Sequence, residues 1–167
     1  MPGPVPMPES IRNAMTKQAN NHRSREFGDC YADIIRSLKP VFRTKNDMLV
    51  LSSSGTAGQV VAPDSFAKAK MVAPLVNEKF GKWFGQISAG HGESIRIESE
   101  WGSPLNHEGF KEALENGAEV ATLVHNETPA AIHNPAEKIG KIACKYDALF
   151  ILEAITPIDG DVIEADK

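Results

Sequence analysis

From residue 71 onward the chain alternates short apolar runs with amphipathic stretches, and this alternation limits the folds open to it. "MVAPLV" at 71–76 precedes "KFGKWFGQIS", and "SIRIES" at 94–99, with period two, precedes "NHEGFKEALENG". "EVATLVH" at 119–125 then precedes "NPAEKIGKIACKYD", and "ALFILE" at 148–153 closes the series. Short β-rich runs separated by helices predict an α/β protein with a mainly parallel sheet and helices on both faces. An earlier run, "MLVLS" at 48–52, reads as one more strand. Asn106 is expected to cap a helix that Gly117 ends. Asn134 is expected to cap the last helix, with Pro135 as its first residue and Glu137 three after the cap. Two prolines run against the pattern: Pro63 would interrupt a helix over 57–70, and Pro74 disfavours a central strand.

The first residues differ. In "PGPVPMP" proline at every second position fixes φ and removes donors, so an extended arm is expected, either free or laid across a site or a partner. A short helix, "ESIRNAMTKQ", follows. Ser24 then caps "REFGDCYADIIRSL", where Phe27, Tyr31, Ile34, Ile35 and Leu38 recur at helical spacing. The expected division is an arm and short helix over 1–23 and a main domain over 24–167.

A net charge of -4 and a pI of about 5.7 argue against a nucleic-acid partner. No apolar run approaches the ~20 residues of a membrane span, and the N-terminus has no secretory pattern. Cys30 and Cys144 show neither metal nor redox spacing, so no metal is expected and the thiols read as reduced, in a cytoplasm.

Three of the strand signals run into polar clusters: "SSSGT" at 52–56, "HNET" at 125–128 and "EAIT" at 153–156. In an open parallel sheet the carboxyl ends of the strands share one edge, where ligands bind. Hydroxyls and bare amides in "LVLSSSGTAGQ" suit an anion, a phosphate first of all, although an ordinary loop carries the same residues. There is no G-x-G-x-x-G and no G-x-x-x-x-G-K-[ST] after any strand. Ser-His-Asp hydrolysis lacks its G-x-S-x-G elbow, and His125 and His133 have no evident orienting partner in the sequence.

"PGPVPMPESI", "NHRSREFG", "SSSGT", "VNEKFGKWFG", "VHNET", "NPAEKIGKIA" and "ILEAIT" occur in the order and approximate spacing of fold-type I, class V aminotransferases. The chain resembles the alanine–glyoxylate and serine–pyruvate subgroup from residue 2 to about 166, least well at 57–70. The resemblance implies the N-terminal part of a PLP-transferase large domain, with pyridoxal 5′-phosphate (PLP) as cofactor. Ser54, Gly55 and Thr56 then match its phosphate loop. Phe80 matches the aromatic stacked on the pyridine ring, a position that a plain core aromatic would also fill. Thr128 matches a hydroxyl contact to the ring oxygen side, Glu153 the carboxylate on the pyridine nitrogen, and Thr156 a hydrogen bond near it. Gly3 falls in the segment on the substrate side.

The reaction implied moves an amino group between a small amino acid and a 2-oxo acid. The chain stops at Lys167, ahead of the strand that carries the family's Schiff-base lysine, so no catalytic residue is assigned and this chain alone is expected to be inactive. The alternative is a non-catalytic remnant or engineered fragment, a dimerising or weakly phosphate-binding module. Glu153 stands where the family has aspartate, Glu78 where it has glycine, and Pro129 and Pro157 follow site threonines. A sheet cut in this way exposes an edge, so a homodimer or a complementary chain is expected.

Overall fold

The computed structural model describes residues 5–166; the expectations for Gly3 and Lys167 lie outside them. These residues form two compact units, one running through Leu49 and rejoined by Ile163–Asp166, the other Val50–Val162.

In the first unit, helix α1 spans Glu9–Met15 and α2 Arg25–Val41. Ser24 caps α2 as its residue type predicts, its Oγ accepting from Phe27 N at 3.2 Å. Phe27 and Tyr31, one helical turn apart, stack with ring centroids 6.5 Å apart. No residue of α2 is buried; Phe27, Tyr31 and Ile34 of its apolar stripe are exposed, while Ile35 and Leu38 are half-buried. The returning tail is tied down by polar contacts. Asp166 accepts from Thr44 Oγ1, from Lys45 N at 2.8 Å and from Asn46 Nδ2 at 3.0 Å.

The second unit holds helix α3 (Gly55–Phe66), strand β1 (Val72–Val76), α4 (Lys79–Ala89), β2 (Ile97–Glu98), α5 (His107–Glu115) and β3 (Val120–Val124). The hairpin strands β4 (Asn126–Glu127) and β5 (Ile132–His133) follow, then α6 (Ala136–Lys145) and β6 (Leu149–Glu153). The sheet order is β2-β1-β3-β6, with every pair parallel, as the alternation predicts. All of β1 and β3 is buried, because helices cover both faces and leave no side for polar residues. On one face Ala73, Leu75, Ala121 and Leu123 pack with Phe110 and Leu114 of α5 and Ile139 of α6. Each large side chain removed from water in this way contributes about 1.5–3 kcal/mol. The other face carries Val72 and Val120 against Ala67 and Ile151. Here α4 lies close to β1, since a Cβ on Gly85 would sit 3.1 Å from Pro74 Cβ.

Four expectations need correction. Residues 48–51 form no strand; Leu49 is 86% exposed, and an apolar run without a neighbouring backbone has no ladder to join. Pro63 does not end α3, which continues to Phe66. It lies in the last turn, where its carbonyl accepts from Ala67 N at 2.8 Å and only one helical bond is lost. Pro74 does lie in a central strand, yet its cost is visible. Val72 and Val76 bond toward the β2 side, with Glu93, Ile95 and Ser99, so the missing N–H of Pro74 falls on that side. The ladder there is interrupted: one bridge pairs Val72 with Ser94, and pairing resumes only at Leu75 with Ile97. The run at 94–99 therefore shrinks to a two-residue β2. Asn134, finally, caps nothing. Helix α6 starts one residue later than expected, and the buried Asn134 amide pairs with Asn77 at 2.8 Å and donates to Val124 O at 2.8 Å. The caps at Asn106, accepting from Gly109 N at 2.9 Å, and at Gly117, with φ +95°, stand as expected.

Candidate functional site

A cleft of about 210 Å³ opens at the carboxyl edge of the sheet. Gly55 and Thr56 reach it from the start of α3, Phe80 from α4, Thr128 from the hairpin, and Glu153 and Thr156 from the end of β6. Six of the residues singled out in the sequence thus share one cavity. The strand ends are held together by backbone, with His125 N donating to Glu153 O at 2.9 Å. Ser54 does not line the cleft; it precedes α3 in extended conformation, and its side chain makes no cap bond. The first amides of α3 therefore have no side-chain acceptor and point the positive end of the helix toward the cavity mouth. Gly55 lies directly under Ile155: a Cβ there would sit 2.4 Å from Ile155 Cδ1, and that exposed side chain would have to turn aside.

Gln59, Trp83, Asn126 and Ile155 complete the lining. Periodicity could have found two of them: Gln59 lies one turn after Gly55, and Trp83 three residues after Phe80, each on a face already assigned. A larger open hollow of about 780 Å³ beside β2 and α5 is walled by surface polar groups, and its Arg96 is already paired with Glu98 at 3.1 Å.

Two carboxylates give the rim its electrostatics. Burial pushes the Glu153 carboxyl above its ordinary value, opposed by the backbone N–H of Ile155, which donates to Oε1 at 2.6 Å. Glu127, which the sequence did not single out, is fully buried and holds the start of α4. Its Oε2 accepts from Phe80 N at 3.0 Å, and its Oε1 accepts from Gly81 N. A Cβ on Gly81 would come within 2.8 Å of that oxygen, so the glycine makes the approach possible. Phe80 is thereby fixed through its own amide.

Glu78 is equally buried, and neither of its oxygens meets a donor among the described residues. It faces Glu127, and two carboxyl groups in such contact form a hydrogen bond only when one carries a proton. Burial first, and then the Glu78 carboxyl, raise Glu127 to about 7, against the backbone donors of Gly81 and Phe80. The sequence marked Glu78 as ill-placed; its partner across the chain was not visible there.

No family model matches the chain. It is 36% identical over 171 residues to an uncharacterized aminotransferase of Methanocaldococcus jannaschii, covering 100% of this chain and 44% of that protein. It is 30% identical to the small subunit of a soluble hydrogenase of Synechococcus, over 100% of this chain and 45% of the other. Further relatives carry the names of glyoxylate aminotransferases. Among solved structures, alanine–glyoxylate aminotransferase from Nostoc superposes with a TM-score of 0.88 at 25% identity, covering 99% of this chain and 45% of its own. The chain thus spans less than half the length of the proteins it matches. In sequence and in fold it is similar to part of the class V aminotransferases of the alanine/serine–glyoxylate type.

Proposed function

We propose that the cleft is the cofactor half-site of a PLP-dependent aminotransferase acting between a small amino acid and a 2-oxo acid of the glyoxylate or pyruvate kind. The observation that carries this reading is the gathering of Gly55, Thr56, Phe80, Thr128, Glu153 and Thr156 around one cavity at the carboxyl edge of a parallel sheet. The residues fit the group. The amides of Gly55 and Thr56, with the Thr56 hydroxyl, would hold the phosphate where α3 leaves its first amides uncapped; Ser54 lies outside the cleft. Phe80 would stack on the ring, Thr128 would meet its oxygen side, and Thr156 would support the carboxylate. Glu153, whose Oε1 is taken by Ile155 N, would turn its Oε2 to the ring nitrogen. Bound there, PLP supplies the electron-withdrawing ring and the carbonyl that transamination requires. The chain's own part is to bind, to orient and, through Glu153, to hold a proton on that nitrogen. Glu153 is one methylene longer than the aspartate that the resemblance implies, and its burial disfavours the charged form until a cation faces it.

Among the described residues no lysine lines the cleft, so the amine that completes the reaction would come from chain or subunit beyond these residues. A homodimer or a complementary chain goes with this reading, supported by the exposed apolar residues of α2 and by β6 at the sheet margin. So does a cytoplasmic setting, since both cysteines are free. No described helix is long and apolar enough to cross a membrane.

A second reading, a dimerising phosphate-binding module without transfer activity, is favoured by one observation: the buried Glu78 two residues before Phe80. Titration with PLP tests both. The first predicts saturable quenching of Trp83 fluorescence, competed by inorganic phosphate, with no lysine of this chain trapped by borohydride. Absence of any saturable quenching would rule out the cofactor site.

A further inference from the structure

The strongest cluster outside the cleft lies where β3, the hairpin and the turn after β6 meet. His125 follows β3, and the pairing of Asn126 with His133 brings the second imidazole beside it, ring centroids 4.4 Å apart and tilted by 38°. Asp161 comes from the tight turn after β6, its N–H donating to Pro157 O at 2.8 Å. Its Oδ1 accepts from Val162 N at 2.7 Å, which leaves Oδ2 for the imidazoles. That oxygen lies 3.2 Å from His133 Nε2 and 3.7 Å from His125 Nε2.

Two imidazole nitrogens therefore converge on one carboxylate oxygen. His133 Nδ1 lies 2.7 Å from Asn126 Oδ1, and an amide oxygen only accepts, so Nδ1 bears the hydrogen. Nε2 is left facing a carboxylate oxygen that His125 Nε2 also approaches, and one cation at that point would meet all three ligand atoms. The other nitrogen of His133 is already anchored by Asn126, the outer-shell contact that fixes the tautomer and orientation of a metal-bound histidine.

Distances agree. Tetrahedral zinc with bonds of about 2.0–2.1 Å places its ligand atoms about 3.4 Å apart. The two Asp161–histidine separations, 3.2 and 3.7 Å, bracket that value, and all three ligand atoms lie within 4.8 Å of one another. His133 and Asp161 are exposed enough to close the remainder by side-chain rotation, while the buried His125 is the fixed member. Two imidazoles and one carboxylate suit a borderline ion such as zinc and not magnesium or calcium, which take oxygen ligands.

We propose that His125, His133 and Asp161 bind one divalent transition-metal ion of the zinc type, with a fourth position open to water or an exogenous ligand. The site is independent of the PLP reading. Its test is calorimetric titration of the untagged 167-residue chain with Zn²⁺ and with Co²⁺, beside thermal denaturation at rising metal concentration. One tight equivalent is expected, with a melting temperature that climbs as metal is added. His133→Gln and Asp161→Asn, both at exposed positions, should each weaken that equivalent more than tenfold without lowering the metal-free melting temperature. The double variant Cys30→Ser, Cys144→Ser should retain it, and millimolar Mg²⁺ should not compete. Equal zinc affinity in wild type and in both site variants, or loss of binding with the thiols, would overturn the proposal.

Discussion

Two glutamates, one ending the hairpin strand β4 and one ending β6, show how differently one side chain can be used. Glu127 is enclosed: backbone amides of Phe80 and Gly81 occupy its oxygens, and Glu78 closes the remaining side. Glu153 is held by one amide, that of Ile155, and lines an open cleft. The first has spent its hydrogen-bonding capacity on the protein, and the second keeps part of it for a ligand. Burial alone would rank Glu127 as the more interesting group. The count of free acceptor positions ranks Glu153 as the binding one.

The contrast can be broken most directly at Glu127. Glu127→Ala leaves two amides at the start of α4 without their acceptor and should destabilise the chain by about 3 kcal/mol, read by urea denaturation. A loss under 1 kcal/mol would mean that the enclosure holds nothing.

The next largest effect concerns the Glu127 proton. The Glu127 carboxyl is raised from 4.5 to about 7 in the folded chain. Its stabilising contribution is therefore complete below about pH 4.5 and disappears as pH rises through about 7, because the unfolded chain gives up that proton first. Glu78→Gln supplies an amide donor in place of the opposing carboxyl. It should raise the melting temperature at pH 8 and change it little at pH 5. An equal shift at both values would remove the carboxyl pair from the account.

The smallest change in stability is expected at Glu153. Glu153→Gln keeps shape and the Ile155 contact, so folding should shift by less than about 1 kcal/mol. PLP affinity should nonetheless fall about tenfold, read by Trp83 quenching, since the ring nitrogen loses its counter-charge. Unaltered affinity would leave Glu153 with no advantage over Glu127.

What the sequence made legible follows the same division. Period and caps carry local information, so the order of strands and helices, the cap at Ser24, the cap at Asn106 and the stop at Gly117 could be read directly. The rim residues were legible because polar clusters directly follow strand signals. Pairs made across the fold were not. Asn134 has the residue type of a cap, and only the buried Asn77 opposite it reveals its other use. Glu127 and Glu78 lie far apart along the chain, as do His133 and Asp161, and no period links them. Proline was misjudged for the same reason: Pro63 and Pro74 carry a fixed local cost, but what absorbs it depends on neighbours.

The gap opposite Pro74 has a mechanical consequence. With the ladder broken between Ser94 and Ile97, the outermost strand is clipped on at two short points and can peel away without disturbing its neighbours. Fluctuation should therefore concentrate along that margin, with fast amide exchange around Arg96. The opposite flank, where five successive residues of β3 and β6 stay zipped, keeps the mouth of the cleft still.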